Sequence, residues 1–300
     1  MMKWKKMLAI LLCVAMTVSC VGCLTGCNEE KKNSDDGVLK ILSIGNSFSV
    51  DAQEYLYQIL EDMGVEEIKL GNLYVGGCTL DTHLVYAERD IPAYTYYTNT
   101  DGNWGETKNF SIIEAVKSEN WDYITFQQAS GSSGISSTYD DLDLLIDIVK
   151  PLCQDAKLVW HMTWAYQQDS SHKEFAKYDN DQETMYKAIV SAVNEKIENN
   201  DDVDFVIPAG TAIQNARTSY IGDNLTADGF HLSLDLGRYI AGLTFAHALT
   251  GLSIDNVEFQ PETVTESQKQ VAIEAVKNCF AQPYEVTESV YTMEERDGTE

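Results

Sequence analysis

Short apolar runs alternate along this chain with segments whose apolar residues recur three and four positions apart. The apolar runs predict buried strands, at 39–45, 67–75, 121–126, 157–161 and 204–208. The segments with helical spacing predict helices, at 51–63, 111–119, 140–150, 182–199, 235–249 and 266–280. Because strands and helices alternate, the pattern predicts an α/β domain with a largely parallel central sheet covered on both faces.

Two stretches interrupt this alternation. Residues 92–110 are rich in Tyr, Thr, Gly and Asn, which predicts a loop or a hairpin insertion. Residues 130–138, SGSSGISST, predict a flexible loop. The aromatic side chains of the first stretch are expected to be exposed: Tyr94, Tyr96, Tyr97 and Trp104.

The ends of the predicted strands carry the candidates for a functional site. In parallel sheets, ligands bind beyond the carboxyl ends of the strands. Small and polar residues follow directly after several of the predicted strands, and the candidates are Asn46, Ser47, Gly76, Gly77, Gln127, Gln128 and His161.

The first 27 residues have the composition of an export signal. Three lysines precede an apolar stretch at about 7–21, which is too short and too interrupted for a comfortable membrane span. The run LTGC at 24–27 resembles a bacterial lipobox, whose cysteine receives a lipid and becomes the mature N-terminus. The sequence therefore predicts a lipoprotein anchored at Cys27, at the bacterial cell surface or in the periplasm. An ordinary signal peptide or an N-terminal anchor helix is the alternative.

The remaining chain divides by composition. Residues 28–36 are charged and lack apolar side chains, which predicts a flexible tether over 28–37 after a signal peptide at 1–27. Residues 38–284 suit one domain with a sizeable core, and 285–300 form an acidic tail.

Charge and cysteine content exclude some classes of function. Of 21 Lys and Arg, three lie in the leader, which leaves 18 against 47 Asp and Glu, a net charge of −29. Such a surface repels phosphate backbones, so nucleic acid is a poor partner, and contact with a membrane is expected only through the lipid. Cys78, Cys153 and Cys279 are widely spaced, which argues against a zinc site, and no pairing of them is favoured.

Ser47 stands between a predicted strand and a predicted helix, in GNSFS. A serine there can face the crevice from the helix N-terminus, where backbone N–H groups favour developing negative charge. The alternative is that Ser47 caps the helix, a role for which Ser49 competes.

Asp228 and His231 lie together in the late segment Asp-Gly-Phe-His. A carboxylate on one imidazole nitrogen fixes the tautomer, so that the other nitrogen can take a proton from a serine. The alternative is that Asp228-Gly229 is a turn and that His231 caps the next helix. The common G-x-S-x-G, H-E-x-x-H and phosphate-binding glycine motifs are absent from the sequence.

The early strand–Gly-x-Ser–helix and the late Asp-x-x-His together resemble the SGNH hydrolase superfamily, also called GDSL-type esterases. GNS at 45–47 matches the first block with Asn where Asp is usual, and Asp228 and His231 match the last. The chain departs from the G-x-N-D block, where it has Gln127-Gln128. It most resembles a bacterial branch known as a domain of unknown function, which shares I-G-N-S-F-S and W-D-Y…Q-Q.

The resemblance covers about residues 39–250 and implies a flavodoxin-like three-layer sandwich with serine esterase chemistry. Ser47 is then the nucleophile, His231 its base and Asp228 the group that orients His231. The resemblance implies no metal and no cofactor.

The resemblance also implies an oxyanion hole. Its donors would be the N–H of Ser47, the N–H of Gly77 and the side chain of Gln127, with Gly76 and Gln128 as the alternatives for the last two.

The substrate follows from the aromatic residues. The rings at 94–104, with Trp160 and Trp164, could form platforms for sugars, which predicts an acetylated or otherwise acylated glycan as substrate. Gln128, His161 and Trp164 are expected to line the pocket. The alternatives are that these aromatic rings are packing residues, and that the protein binds glycans on the same fold without turnover.

Overall fold

The computed structural model describes residues 36–292 of the chain. Seven strands form one sheet: β1 (Val38–Gly45), β2 (Glu67–Tyr74), β3 (Tyr94–Asn99), β4 (Gly105–Phe110), β5 (Tyr123–Phe126), β6 (Lys157–His161) and β7 (Phe205–Ile207). The α-helices are α1 (Ser47–Gln53), α2 (Leu56–Asp62), α3 (Leu80–Glu88), α4 (Ile112–Lys117), α5 (Leu142–Val149), α6 (Gln182–Lys196), α7 (Ala209–Arg217), α8 (Leu236–Thr250) and α9 (Glu266–Ala281).

The sheet has the strand order β4-β3-β2-β1-β5-β6-β7. Strands β2, β1, β5, β6 and β7 are parallel, and in chain order they run 2-1-3-4-5, the flavodoxin-like order. Strands β3 and β4 extend the β2 edge as an antiparallel hairpin. The predicted α/β class is confirmed, and of the two alternatives for 92–110 the hairpin is the one observed.

Helices cover the sheet in two groups. Helices α1, α2, α7, α8 and α9 pack with one another, and α3 packs with α4 and α5. Strand β1 lies in the middle of the sheet and is buried from its second residue to its last. A strand covered on both faces needs apolar residues at nearly every position, which is why LKILSIG lacks an alternating pattern.

The order of the parallel strands creates a crevice at their carboxyl ends. The chain leaves β1 for β2 on one side, and then returns to β5 on the other side of β1. The connections diverge at this switch point, which leaves the end of β1 open. The residues that follow β1 therefore occupy the place where this fold binds ligands.

Some helices differ from the sequence prediction. The single helix expected at 51–63 is observed as two helices, α1 and α2. Helix α1 begins earlier than expected, because Asn46 caps it, and Tyr55 separates it from α2. Helix α7 was not predicted. Its buried residues include Thr211, Asn215 and Arg217, so it carries no clear apolar stripe.

Part of the segment predicted as an acidic tail, 285–300, forms hydrogen bonds with α7 and the residue after it. The N–H of Thr287 donates to Asn215 Oδ1 at 2.8 Å, and the N–H of Ser289 donates to Thr218 Oγ1 at 2.8 Å. Residues 287–289 are therefore joined to α7 and belong with the domain.

The leader lies outside the described residues, as do Cys27 and all but the last two residues of the tether. Within residues 36–292 the three cysteines are buried and unpaired. No helix in that range is both long and apolar enough to cross a membrane.

Candidate active site

Ser47 is the first residue of α1 and directly follows Asn46, which ends the turn out of β1. Asn46 is the N-cap, and its Oδ1 accepts a hydrogen bond from the N–H of Phe48 at 3.0 Å. Ser49 is buried and donates its hydroxyl to Asn72 Oδ1 at 2.9 Å. Since Asn46 serves as the cap, the hydroxyl of the half-buried Ser47 is free to bond to another partner. The backbone N–H of Ser47, in the first turn of α1, has no acceptor within the helix.

Ser47, His231 and Asp228 form one hydrogen-bonded chain. The Oγ of Ser47 lies 2.8 Å from Nε2 of His231, and Nδ1 of His231 lies 2.7 Å from Oδ2 of Asp228. A carboxylate on Nδ1 selects the tautomer that carries its proton there, so that Nε2 accepts from the serine. The structure thus brings together three residues that the sequence analysis selected from opposite ends of the domain.

Asp228 is held ionised by its own loop. Partial burial alone would raise the pKa of Asp228, but hydrogen bonds from the His231 ring and from the N–H groups of His231 and Phe230 lower it below its usual range. The side chains of Asp228 and His231 are 46% and 29% exposed, so the chain of hydrogen bonds opens to solvent. A small substrate can therefore reach Ser47 without movement of a cover.

The loop that carries Asp228 and His231 depends on Gly229. Its φ of +91° lies in the left-handed region, and a Cβ there would come within 3.0 Å of the Ser170 Cα. The Gly229 carbonyl accepts from the N–H of Gln167 at 2.9 Å. These contacts fix the Asp-Gly-Phe-His turn against the segment that follows β6.

A stacked pair of aromatic rings, Phe48 and Trp164, supports the same loop. The rings of Phe48 and Trp164 are parallel within 7° with centroids 4.2 Å apart, and the Trp164 Nε1 donates to the Phe230 carbonyl at 2.8 Å. The prediction that Trp164 lines a pocket is wrong, because its side chain is fully buried in this stack. Trp164 instead links the helix that carries Ser47 to the residue before His231.

Asp51 and Arg238 bind the backbone of Leu232, the residue after His231. Asp51 lies one turn after Ser47 in α1, is buried, and accepts from the N–H of Leu232 at 2.8 Å. Arg238 on α8 lies 2.8 Å from the Asp51 carboxylate and also donates to the Leu232 carbonyl. Burial raises the pKa of Asp51 to about 6, while Arg238 and the Leu232 N–H oppose that rise. This pair was not predicted from the sequence, although Asp51 has helical i+4 spacing from Ser47.

Gln127 lies behind the site and does not face Ser47. Its Nε2 donates to Asn46 Oδ1 at 2.8 Å, and its Oε1 accepts from His161 Nδ1 at 3.1 Å. The Asn46 Nδ2 continues the chain to the Cys78 carbonyl at 3.2 Å. Gln127 is 1% exposed, so the prediction that its side chain holds the oxyanion is wrong in this structure. It supports the cap residue instead.

His161 and Gln128 are also interior residues rather than pocket residues. Burial lowers the pKa of His161 to about 3, so its ring stays neutral. The Gln128 amide is saturated, since its Oε1 accepts from the N–H groups of Leu80 and Ala129 and its Nε2 donates to the Thr138 carbonyl. Both predictions fail because these polar side chains meet their hydrogen-bonding needs inside the protein: His161 bonds to Gln127, and Gln128 bonds to the start of α3 and to the loop after β5.

Gly77 lies in an exposed turn after β2. The N–H of Cys78 bonds to the Val75 carbonyl at 3.1 Å, and Gly77 has φ +62°, which suits the third position of a type II turn. No side chain or backbone atom lies within 4 Å of the place of a Gly77 Cβ. Gly77 and Gly76 are both exposed, so their N–H groups can still serve as the predicted backbone donors.

The aromatic residues at 94–104 divide into two sets. Tyr94 and Tyr96 are buried in the core, as is Trp160 on β6, which corrects the expectation that they are platforms. Successive residues of a strand face opposite sides, so Tyr97 points away from Tyr96 and from Tyr94, which shares the side of Tyr96. Tyr97 and Trp104 are half-buried and line a cavity beside α1.

Comparison with known proteins places the chain in a family. The family described as Domain of unknown function (DUF4886) matches residues 40–279. The chain belongs to the DUF4886 family. A crystal structure of a DUF4886 family protein from Bacteroides uniformis is 40% identical, with a TM-score of 0.81 over 84% of this chain and 98% of that one. The predicted resemblance to a branch known as a domain of unknown function is confirmed.

Two further solved structures resemble this DUF4886 protein more distantly. A candidate SGNH hydrolase from Slackia heliotrinireducens is 20% identical, with a TM-score of 0.45 over 70% of this chain and 98% of that one. A candidate GDSL-like lipase from Parabacteroides merdae is 15% identical, with a TM-score of 0.48 over 72% and 98%. No curated protein matches the chain.

Proposed function

We propose that this DUF4886 protein is a serine esterase that removes acetyl or other small acyl groups from glycans. The observation that carries the proposal is the continuous hydrogen-bonded chain from Ser47 through His231 to Asp228. If Ser47 were only a helix cap, its hydroxyl would not need the His231 imidazole at 2.8 Å. If His231 were only a structural histidine of the core, its side chain would not be partly exposed to solvent. The arrangement is the one that makes a serine hydroxyl nucleophilic.

The reaction proceeds in two steps, acylation of Ser47 and hydrolysis of the acyl–Ser47 ester. The Oγ of Ser47 attacks the ester carbonyl while its proton passes to Nε2 of His231, and Asp228 stabilises the imidazolium that forms. When the tetrahedral intermediate collapses, the bond between the carbonyl carbon and the sugar oxygen breaks. The sugar oxygen takes the proton from His231 and leaves as a hydroxyl. Water then attacks the acyl–Ser47 ester, again through His231, and releases the carboxylic acid and the free serine.

The oxyanion would be held by backbone N–H groups. Ser47 N–H is the first free donor of α1, and Gly77 N–H lies in the turn at the end of the neighbouring strand. With Gln127 engaged by Asn46 and His161, these two backbone donors carry the proposed role.

The proposed location is outside the cytoplasm, through a lipid on Cys27. Replacement of Cys27 by Ser should abolish incorporation of labelled palmitate in a bacterial host and release the protein from the membrane fraction. Cys20→Ser and Cys23→Ser are matched controls and should leave the label in place. Equal labelling of Cys27→Ser and the wild type would contradict the anchor.

Hydrolysis of p-nitrophenyl acetate by the chain from residue 28 tests the esterase. Ser47→Ala and His231→Ala should each lower kcat by at least about a thousandfold, whereas the exposed Ser171→Ala should match the wild type. Equal rates in the wild type and Ser47→Ala would contradict the proposal. In that case binding of a glycan without turnover becomes the function that the same fold supports.

A further inference from the structure

A cavity of about 280 Å³ lies between α1 and the β3–β4 hairpin. Its walls are Val50 and Glu54 on the α1 side, and Asn72, Tyr97 and Trp104 on the side of the sheet and the hairpin. The hairpin is an addition to the five parallel strands, so this space does not belong to the flavodoxin-like core. Its size is close to the lower end of small-molecule sites, about 300 Å³.

The cavity is already formed, because the hairpin tip is fastened to α2. The Tyr57 hydroxyl donates to the Thr100 carbonyl and the Gln58 amide donates to the Gly102 carbonyl, both at 3.3 Å. Within the tip, Asn99 Oδ1 accepts from the N–H of Gly102 at 2.8 Å. These bonds hold the Trp104 side of the hairpin in place.

The cavity is close to Ser47. Val50 lies three residues after Ser47 in the same helix, and side chains at this spacing are neighbours, about 5–6 Å apart at Cβ. Glu54 follows one turn later on the same face. A group that extends away from an ester held at Ser47 therefore meets Val50 first and then enters the space beneath Trp104.

The walls combine aromatic rings with a carboxylate. Tyr97 packs at a tilt against Tyr74, with ring centroids 5.9 Å apart, which sets the orientation of its ring. Glu54 lines the cavity and its carboxylate accepts from Arg238 at 2.6 Å, so a charged hydrogen-bond acceptor is held in place in the wall. An acyl chain would place apolar atoms against the Glu54 carboxylate, which is unfavourable. A phosphorylated ligand would be repelled by a strongly acidic protein.

We propose that this cavity is a subsite for one pyranose ring of the substrate's alcohol portion, and that Trp104 and Tyr97 determine specificity there. The apolar C–H face of the ring packs against Trp104 and Tyr97, while its hydroxyls donate to the Glu54 carboxylate. The inference rests on the proposed esterase, because it assigns the ester to Ser47 and the sugar to the cavity. It predicts that sugar esters and simple aryl esters respond differently to changes in the hairpin.

The first experiment compares two substrates in the same variants. Trp104→Ala should lower kcat/KM for O-acetylated methyl β-glucopyranoside or N-acetylglucosaminide by about tenfold, mainly through KM. It should lower kcat/KM for p-nitrophenyl acetate much less than for the sugar ester, and Trp104→Phe should restore most of the sugar activity. Lys108→Ala, an exposed change on the same hairpin, should affect neither substrate. Equal losses on both substrates, or no loss on the sugar, would overturn the subsite.

A second experiment does not depend on turnover. In the Ser47→Ala chain, isothermal titration with the same acetylated glycosides should show binding that Trp104→Ala weakens about tenfold. No binding at millimolar glycoside, or binding that Trp104→Ala leaves intact, would overturn the subsite even if the esterase is active. Conversely, binding that requires Trp104 in a protein without esterase activity would retain the sugar site and reject the proposed chemistry.

Discussion

Asp51 and Leu232 are 181 positions apart in the chain, yet the Asp51 carboxylate accepts the Leu232 N–H at 2.8 Å. Leu232 directly follows His231, and Asp51 lies one helical turn after Ser47. The bond therefore joins the element that carries the serine to the loop that carries its proton acceptor. Arg238 completes the contact, since it pairs with Asp51 and donates to the Leu232 carbonyl.

Replacement of Asp51 tests whether this contact positions His231. Asp51→Ala should lower kcat by about a hundredfold, because small displacements of a reacting group have effects of that size. Asp51→Asn keeps an oxygen for the Leu232 N–H and should lose less. The measurement is kcat for p-nitrophenyl acetate in folded protein, with the circular dichroism spectrum as the check on folding. An Asp51→Ala enzyme with wild-type kcat would show that the loop holds itself.

Trp164 offers a test of the second support. Trp164→Phe keeps a ring against Phe48 but removes the Nε1 donor to the Phe230 carbonyl, which should reduce both kcat and the free energy of unfolding, the latter by about 1 kcal/mol. Trp121→Phe is the matched control, since Trp121 Nε1 donates to the Ala115 carbonyl at 2.9 Å. The control should lose similar stability with unchanged kcat. Equal kcat in the two variants would argue against a role for Trp164 at the site.

The motifs predicted the three residues of the hydrogen-bonded chain better than the residues that support them. Ser47, Asp228 and His231 were identified because their chemistry demands particular residue types at a strand end and in an Asp-x-x-His turn. Gln127 was misassigned because a polar residue after a strand can face the crevice or join two strands, and only the packing around Asn46 decides between these.

Aromatic residues show the same limit of sequence reasoning. Tyr94 and Tyr96 alternate with Tyr97 along one strand, so composition alone could not tell core rings from cavity rings. Trp164 looked like a pocket residue because it follows a strand, but its partner Phe48 comes from a helix far away in sequence. The parallel sheet itself was predictable, since continuous apolar runs are required of strands covered on both faces.

Buried histidines should make the folded state sensitive to mild acid. Burial lowers the pKa of His83 to about 4 and that of His161 to about 3, from 6.5. Below pH 6.5 these histidines bind protons in the unfolded chain but stay neutral in the folded protein. The free energy of unfolding therefore decreases as pH decreases. Asp51, with a pKa raised to about 6, opposes this, because its folded form holds a proton that the unfolded chain releases between about pH 4 and 6.

The contribution of one histidine can be isolated. His161→Gln retains an amide donor for Gln127 and removes the titrating ring. The free energy of unfolding in guanidinium should decrease between pH 7 and 5 by about 2 kcal/mol less in His161→Gln than in the wild type. The same decrease in both proteins would mean that His161 does not control the acid response.

Labelling with a fluorophosphonate tests the central claim most directly, because the reagent reacts with activated serines and needs no particular substrate. We predict a single adduct on Ser47, located by mass spectrometry of the digested protein. The adduct should be absent in Ser47→Ala and should form far more slowly in His231→Ala. Folded wild-type protein that remains unlabelled, or that carries the adduct on another serine, would contradict the assignment of Ser47 as the nucleophile.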